Sequence, residues 1–191
     1  LAYDRKEKSI YSASFLRRHI GLGPLGLGGI YKTDMSSGTA VVSNFIDVST
    51  LGIPVGSIGS NNDRGLDGNA NMPNADPTTV DEIAKIGLGD IDISEDDQTL
   101  WFVNLANQTL YSIDISGGGT PTASDLIAYP IPNPGCIGGT WRPFALKVYR
   151  GDIYIGGVCD AQSSQDSTNL QATVYRFSNN SFNNVLTFSL N

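Results

Sequence analysis

Apolar and polar residues alternate with a period of two over short runs along most of this chain. In residues 109–115, Leu110, Ser112 and Asp114 fall on one side, and Tyr111, Ile113 and Ile115 on the other. That is the side-chain alternation of a β-strand. Residues 89–116, GDIDISEDDQTLWFVNLANQTLYSIDIS, predict a strand over 90–93, a polar turn over 94–98, a strand over 99–104 and a strand over 109–115. The turn cluster GGGTPTAS follows, and then a fourth strand over 125–130. The same order recurs on either side. LAYDRKEKSIYSASF, GGIYKTD and TAVVSNFIDVS make one set, and FALKVYRGDIYIGGV, ATVYRFS and NNVLTFSLN another. Aromatic residues keep register: Tyr11, Trp101 and Tyr154 in the second strands, Tyr31, Tyr111 and Tyr175 in the third.

Four antiparallel strands repeated at roughly 50 residues predict blades of a β-propeller. The expected fold class is therefore all-β, with three four-stranded blades in a single domain, 1–191. Blade 1 spans about 1–50, a crossover 51–88, blade 2 about 89–132, a crossover 133–142, and blade 3 about 143–191. Propellers typically have about four to eight blades, so the three are expected to be part of a larger ring, completed by further blades or by another copy. The chain starts at LAYD, within a strand, which points to a fragment or processed product. One short helix is expected over 77–86. Asp76 would cap it, Pro77 would open it, Val80, Ile83 and Ala84 would form its apolar stripe, and Gly87 would end it; Thr79 and Glu82 have capping-box spacing.

The segments DISEDDQTLWFVN and LYSIDIS resemble the blades of bacterial secreted propellers of the NHL and YVTN type. GLGDIDIS and RPFALKV are similar to propeller regions of large bacterial surface proteins. The resemblance implies an extracellular or cell-surface location, and it specifies architecture rather than activity.

Composition narrows the partners. Net charge is -7, and the few Lys and Arg are scattered apart from Arg17-Arg18, which excludes a phosphate backbone as the expected ligand. No apolar run is long enough to cross a bilayer. Cys136 and Cys159 are expected either to form one disulfide, pinning a crossover to the third blade, or to be two buried thiols.

In each four-stranded unit, the connection after the second strand and the crossover after the fourth share one face, by antiparallel alternation. The long segments 14–29, 50–88, 130–142 and 159–171 therefore converge there, and that face is the expected site. Gly21-Leu-Gly23-Pro-Leu-Gly26 matches the dinucleotide fingerprint. Yet GLGGIYKTD follows where a helix is required, so a tight glycine loop is expected instead. Ligand or partner contacts on this face are expected from Arg17, Arg18, His19, Asp63, Arg64, Asp90, Arg142 and Asp160. Asp63, Asp67, Asn69 and Asn71 offer alternating oxygen ligands for an irregular calcium site, although Met72 stands where an EF-hand needs Gly. The rival is an Asx-turn-rich loop. No cofactor is required, and no catalytic set assembles. The expected function is a noncatalytic binding or scaffold module with a protein or carbohydrate partner. The alternative is a propeller hydrolase or lyase with an acidic, calcium-assisted site at the channel mouth, near Asp90 and Asp92. Asn107-Gln-Thr and Asn179-Asn-Ser match glycosylation sequons, relevant in a eukaryotic secreted protein.

Overall fold

A computed structural model describes residues 1–66, 68, 71 and 73–191. It contains three four-stranded antiparallel sheets, each built in sequence order. The first holds β1 (Ala2–Asp4), β2 (Ser9–Ala13), β3 (Gly29–Asp34) and β4 (Val41–Asp47). The second holds β5 (Leu88–Ile93), β6 (Thr99–Asn104), β7 (Thr109–Asp114) and β8 (Leu126–Pro130). The third holds β9 (Trp141–Tyr149), β10 (Asp152–Cys159), β11 (Gln171–Ser178) and β12 (Ser181–Ser189). The repeat expected from alternation is thus present, strand for strand. Among the described residues no strand of the first sheet pairs with the third, and no closed ring forms.

The second sheet lies between the other two, and its two faces feed two cores. Ile91, Ile93, Leu100, Phe102, Tyr111 and Ile113 pack with Ala2, Tyr11, Ile30 and Ile46 of the first sheet. On its other face, Val103 and Leu110 pack with Leu146, Val148, Ile153, Ile155, Tyr175 and Phe177 of the third. This explains why β7 is buried on both faces from Thr109 to Ile113, whereas its alternation alone fits a half-buried strand. Among the described residues, the far faces of the first and third sheets have no such cover. Tyr3 and Val42 are 51% and 67% exposed on one, Leu186 and Phe188 50% and 47% on the other.

The first strands of neighbouring sheets are tied by carboxylates. Asp92 of β5 accepts from the Val148 N–H at 2.9 Å and from Lys147 Nζ at 2.6 Å, both on β9. Asp90 accepts from the Leu146 N–H at 3.3 Å. At the short-turn end, Arg5 donates to the Glu95 carbonyl at 2.6 Å, and Glu95 Oε1 accepts from the Arg150 N–H at 2.7 Å. One acidic turn therefore links all three first hairpins.

The helix expected over 77–86 is absent; the segment is a run of turns. Asp76 and Ala84 take φ of +35° and +61°, which interrupts any helical ladder. The Thr79 hydroxyl donates to Asp76 Oδ1 at 2.6 Å, and Asp76 itself turns inward to an arginine. Both would-be capping residues are engaged in a tertiary contact that local pattern does not reveal.

Candidate functional site

The long connections gather on one face, and two bonded nodes order them. The first node is Arg64, in the crossover between the first and second sheets. Its side chain and that of Asp76 are fully buried. Nε donates to Asp76 Oδ1 at 3.1 Å and to Thr79 Oγ1 at 3.0 Å, and Nη2 donates to Asp76 Oδ2 at 2.8 Å. Nη2 also reaches the carbonyls of Arg17 and Ile20, at 3.1 and 3.0 Å, in the glycine-rich loop after β2. The His19 N–H donates to Asp76 Oδ2 at 2.8 Å. The Arg64 guanidinium holds the Asp76 carboxyl far below the ordinary carboxylate range. Burial opposes this, and the Thr79 hydroxyl and His19 N–H add to it.

Around that node the loop is strapped to the crossover. His19, at φ +64°, places Nδ1 2.9 Å from Asn74 Oδ1, and Arg18 Nη2 donates to the Ala75 carbonyl at 3.0 Å. Asn61 accepts from the Leu22 N–H at 2.9 Å and donates to the Leu22 carbonyl at 3.2 Å. The glycines of the fingerprint permit close approach: a Cβ on Gly21 would lie 2.9 Å from Asn61 Nδ2. The Leu25 N–H is spent on the Tyr31 hydroxyl at 3.1 Å, and a short 3₁₀ turn, Gly26–Gly28, leads into β3.

The second node orders the crossover between the second and third sheets. Cys136 and Cys159 form a disulfide with a Cα–Cα distance of 5.3 Å, which settles the alternative left open by sequence. Beside it, Asp160 accepts from Arg142 Nε at 2.7 Å and from the Thr140 N–H at 3.0 Å. Burial works against its ionisation, but the Thr140 N–H, the Arg142 guanidinium and the Gln162 N–H outweigh it and lower the carboxyl below its usual value. Gly139 passes against the Asp160 backbone with no room for a Cβ.

The expected site residues are thus on the expected connections but not in one cluster. Arg64 is buried and presents nothing to solvent. Asp90 and Arg142 serve separate inter-strand ties. Asp63 closes a local turn, accepting from the Ser60 hydroxyl at 2.7 Å and N–H at 3.0 Å; the hydroxyl foremost lowers its carboxyl. Asp67 and Asn69, named for calcium, lie outside the described residues, and Asn71 is exposed. Among the described residues no three His, Cys, Asp or Glu side chains come together as metal ligands.

What the face presents instead is apolar and cationic. Phe15, two residues beyond β2, meets Phe144 of β9 edge to face, with ring centroids 5.2 Å apart. Both remain more than a third exposed, and Ile20 and Ile137 are 52% and 74% exposed. Arg17, two residues after Phe15, is exposed. Sequence reasoning passed over Phe15 and Phe144, because they belong to different sheets and only tertiary packing pairs them. It also passed over Asp76 as a partner for Arg64. The available signal was weak: Arg64 is the one arginine of residues 48–87, and sequence does not rank Asp76 above Asp63 or Asp67 as its partner.

No family model matches the chain. It is similar to Colossin-D of Dictyostelium discoideum, 32% identical over 169 residues, covering 87% of this chain and 16% of that protein. Colossin-B and Colossin-A of the same organism are each 26% identical over the whole chain, which covers 5% and 2% of their lengths. The chain spans less than a fifth of each of these relatives. They are eukaryotic, which overturns the resemblance to bacterial NHL and YVTN propellers. The motifs behind that resemblance are strand–polar turn–strand alternation, which any antiparallel repeat shares, so they carry no ancestry.

Proposed function

We propose that the three sheets are successive blades of a β-propeller, and that the chain is a noncatalytic binding or scaffold module of an extracellular or cell-surface protein. Further sheets of the ring cover the outer faces at Tyr3 and Val42 and at Leu186 and Phe188. A protein or carbohydrate partner docks on the long-loop face. One observation carries this reading: Asp63, Asp90 and Asp160 of that face are spent on structural bonds, while Phe15, Phe144, Ile20 and Arg17 remain exposed. An aromatic pair with a flanking arginine is the usual make-up of a binding hot spot. Adjacent inner strands and a sheet buried on both faces support the radial arrangement.

The test is titration of the chain with oligosaccharides and acidic peptides, followed by NMR shift perturbation and by product analysis. Saturable perturbation centred on Phe15, Ile20 and Phe144, lost in the double variant Phe15→Ala/Phe144→Ala, is the expected result. Turnover of a bound oligosaccharide, abolished by Asp90→Asn, would overturn the noncatalytic reading. A structure of a longer stretch of the protein in which Leu186 and Phe188 stay solvated would sink the propeller assignment.

A further inference from the structure

We propose that Asn179 is an acceptor for N-linked glycosylation, and that the sugar shields the free edge of the third sheet. Of the two sequons, the one at Asn107 is engaged within the fold. The Asn107 carboxamide donates to the Tyr111 hydroxyl at 2.8 Å, and Thr109, only 5% exposed, donates its hydroxyl to the Asn107 carbonyl at 3.0 Å. The sequon at Asn179 sits at the tip of the β11–β12 hairpin, where Ser178 pairs with Ser181 across a two-residue turn. Asn179 and Asn180 take φ of +51° and +58°, the geometry of a type I′ turn, in which asparagine is favoured. Asn179, Asn180 and Ser181 are all exposed.

The strand that follows gives the sugar a task. β12 is the outermost strand of its sheet and, at nine residues, longer than the other outer strands, β4 with seven and β8 with five. It contains neither a charge nor a proline, whereas β4 ends in Asp47 and β8 in Pro130. Val185 is half exposed along it, and the strand's outer side pairs with no strand among the described residues. A long, uncharged edge pairs readily with other chains unless it is blunted. A glycan at its leading turn supplies steric and hydrated bulk there. The turn lies at the end opposite the long connections, so the proposed binding face stays clear.

The chemistry requires a sugar donor, an oligosaccharide carried on a lipid pyrophosphate. Asn179 Nδ2 attacks the anomeric carbon; the C–N bond forms, the bond from that carbon to the pyrophosphate oxygen breaks, and one amide proton is lost. The Cys136–Cys159 disulfide fits an oxidising folding compartment, where such transfer occurs in eukaryotes, and the relatives are eukaryotic. The inference rests on the extracellular reading only for the natural encounter with the donor.

The experiment is secretion of the full chain from eukaryotic cells behind a supplied cleavable leader. The expected product carries a glycan on the Asn179 peptide that peptide N-glycosidase removes, leaving Asp. Asn179→Gln and Ser181→Ala lose it, and Ser181→Thr keeps it. An unmodified Asn179 peptide in secreted, disulfide-bonded protein overturns the site; because the leader is supplied, that failure leaves the question of natural location untouched. Conversely, finding the native protein inside cells overturns the extracellular reading alone. Increased light scattering by the Asn179→Gln protein supports the shielding role, and scattering equal to that of the glycosylated protein removes it.

Discussion

The two crossovers do the same topological job by different means. The first, residues 48–87, is long enough to fold back on itself and to bury an arginine with its carboxylate. The second, residues 131–140, is too short to enclose a charge; its ion pair, Arg142–Asp160, stays about one-fifth exposed, and a disulfide does the fixing. A buried ion pair is costly to assemble, because both charges lose water, and more costly to break, because one charge is then stranded. A disulfide acts chiefly by restricting the unfolded chain. The first lock is therefore specific to its folded neighbours, and the second is largely indifferent to them.

Breaking the first lock has the largest expected effect. Asp76→Ala leaves Arg64 buried with three neutral oxygen acceptors, two carbonyls and the Thr79 hydroxyl, and is expected to cost about 3–5 kcal/mol in urea unfolding. It also frees the His19 N–H, so hydrogen exchange should rise in residues 17–22 as well as in 60–79. A loss below about 1 kcal/mol would mean that the pair behaves as a surface salt bridge. The double variant Arg64→Met/Asp76→Leu is expected to regain most of the loss, since an apolar pair needs no compensation.

Removing the second lock is expected to cost about 3 kcal/mol for a loop closed over 23 residues. Cys136→Ser/Cys159→Ser should lower the thermal midpoint, and reductant should shift the parent protein by the same amount and leave the variant unchanged. Hydrogen exchange around 131–140 distinguishes the mechanisms. Protection that is retained there in the reduced protein fits an unfolded-state effect; a collapse of protection means that the disulfide holds the folded crossover directly.

The contrast also marks how far the sequence could be read. Alternation located all twelve strands, because a period of two reports local backbone and burial together. The cysteine pair was legible as a candidate disulfide because only one pairing exists; the β9–β10 hairpin, which brings Cys159 opposite Trp141 beside the crossover, fits it. The first crossover was not. Asp76-Pro77 has the local chemistry of a helix start, and tertiary demand from Arg64 overrode it. Asp90 and Asp92 show the same limit: alternation places them on β5, but the β9 amides they bond are more than fifty residues away. A carboxylate that clasps a neighbouring strand and one that awaits a ligand look identical in sequence.

Acid separates the locks further. The Asp76 carboxyl is depressed in the folded state, so its stabilisation is fully present above the unfolded value of about 4. It is lost as pH falls from there through its much lower folded value. The disulfide does not titrate. Between about pH 4 and 2, the parent protein should therefore lose stability faster than Asp76→Asn, which has no proton to gain at this position. Parallel pH profiles for the two proteins would show that other carboxylates dominate acid unfolding.

The smallest expected effect is at Asp160, where the second crossover keeps an ion pair beside its disulfide. Asp160→Ala removes the acceptor for the Thr140 N–H and for Arg142, but Arg142 is one-fifth exposed and regains water. The expected cost is about 1–2 kcal/mol, that of stranding a partly buried donor rather than a charge. Asp160→Asn keeps an oxygen for Thr140 and should recover about half of it. In the Cys136→Ser/Cys159→Ser background the cost of Asp160→Ala should differ from its value alone, because both contacts fix the same ten residues, 131–140. Strict additivity in that double-mutant cycle would mean that the covalent lock and the polar one act on separate parts of the crossover.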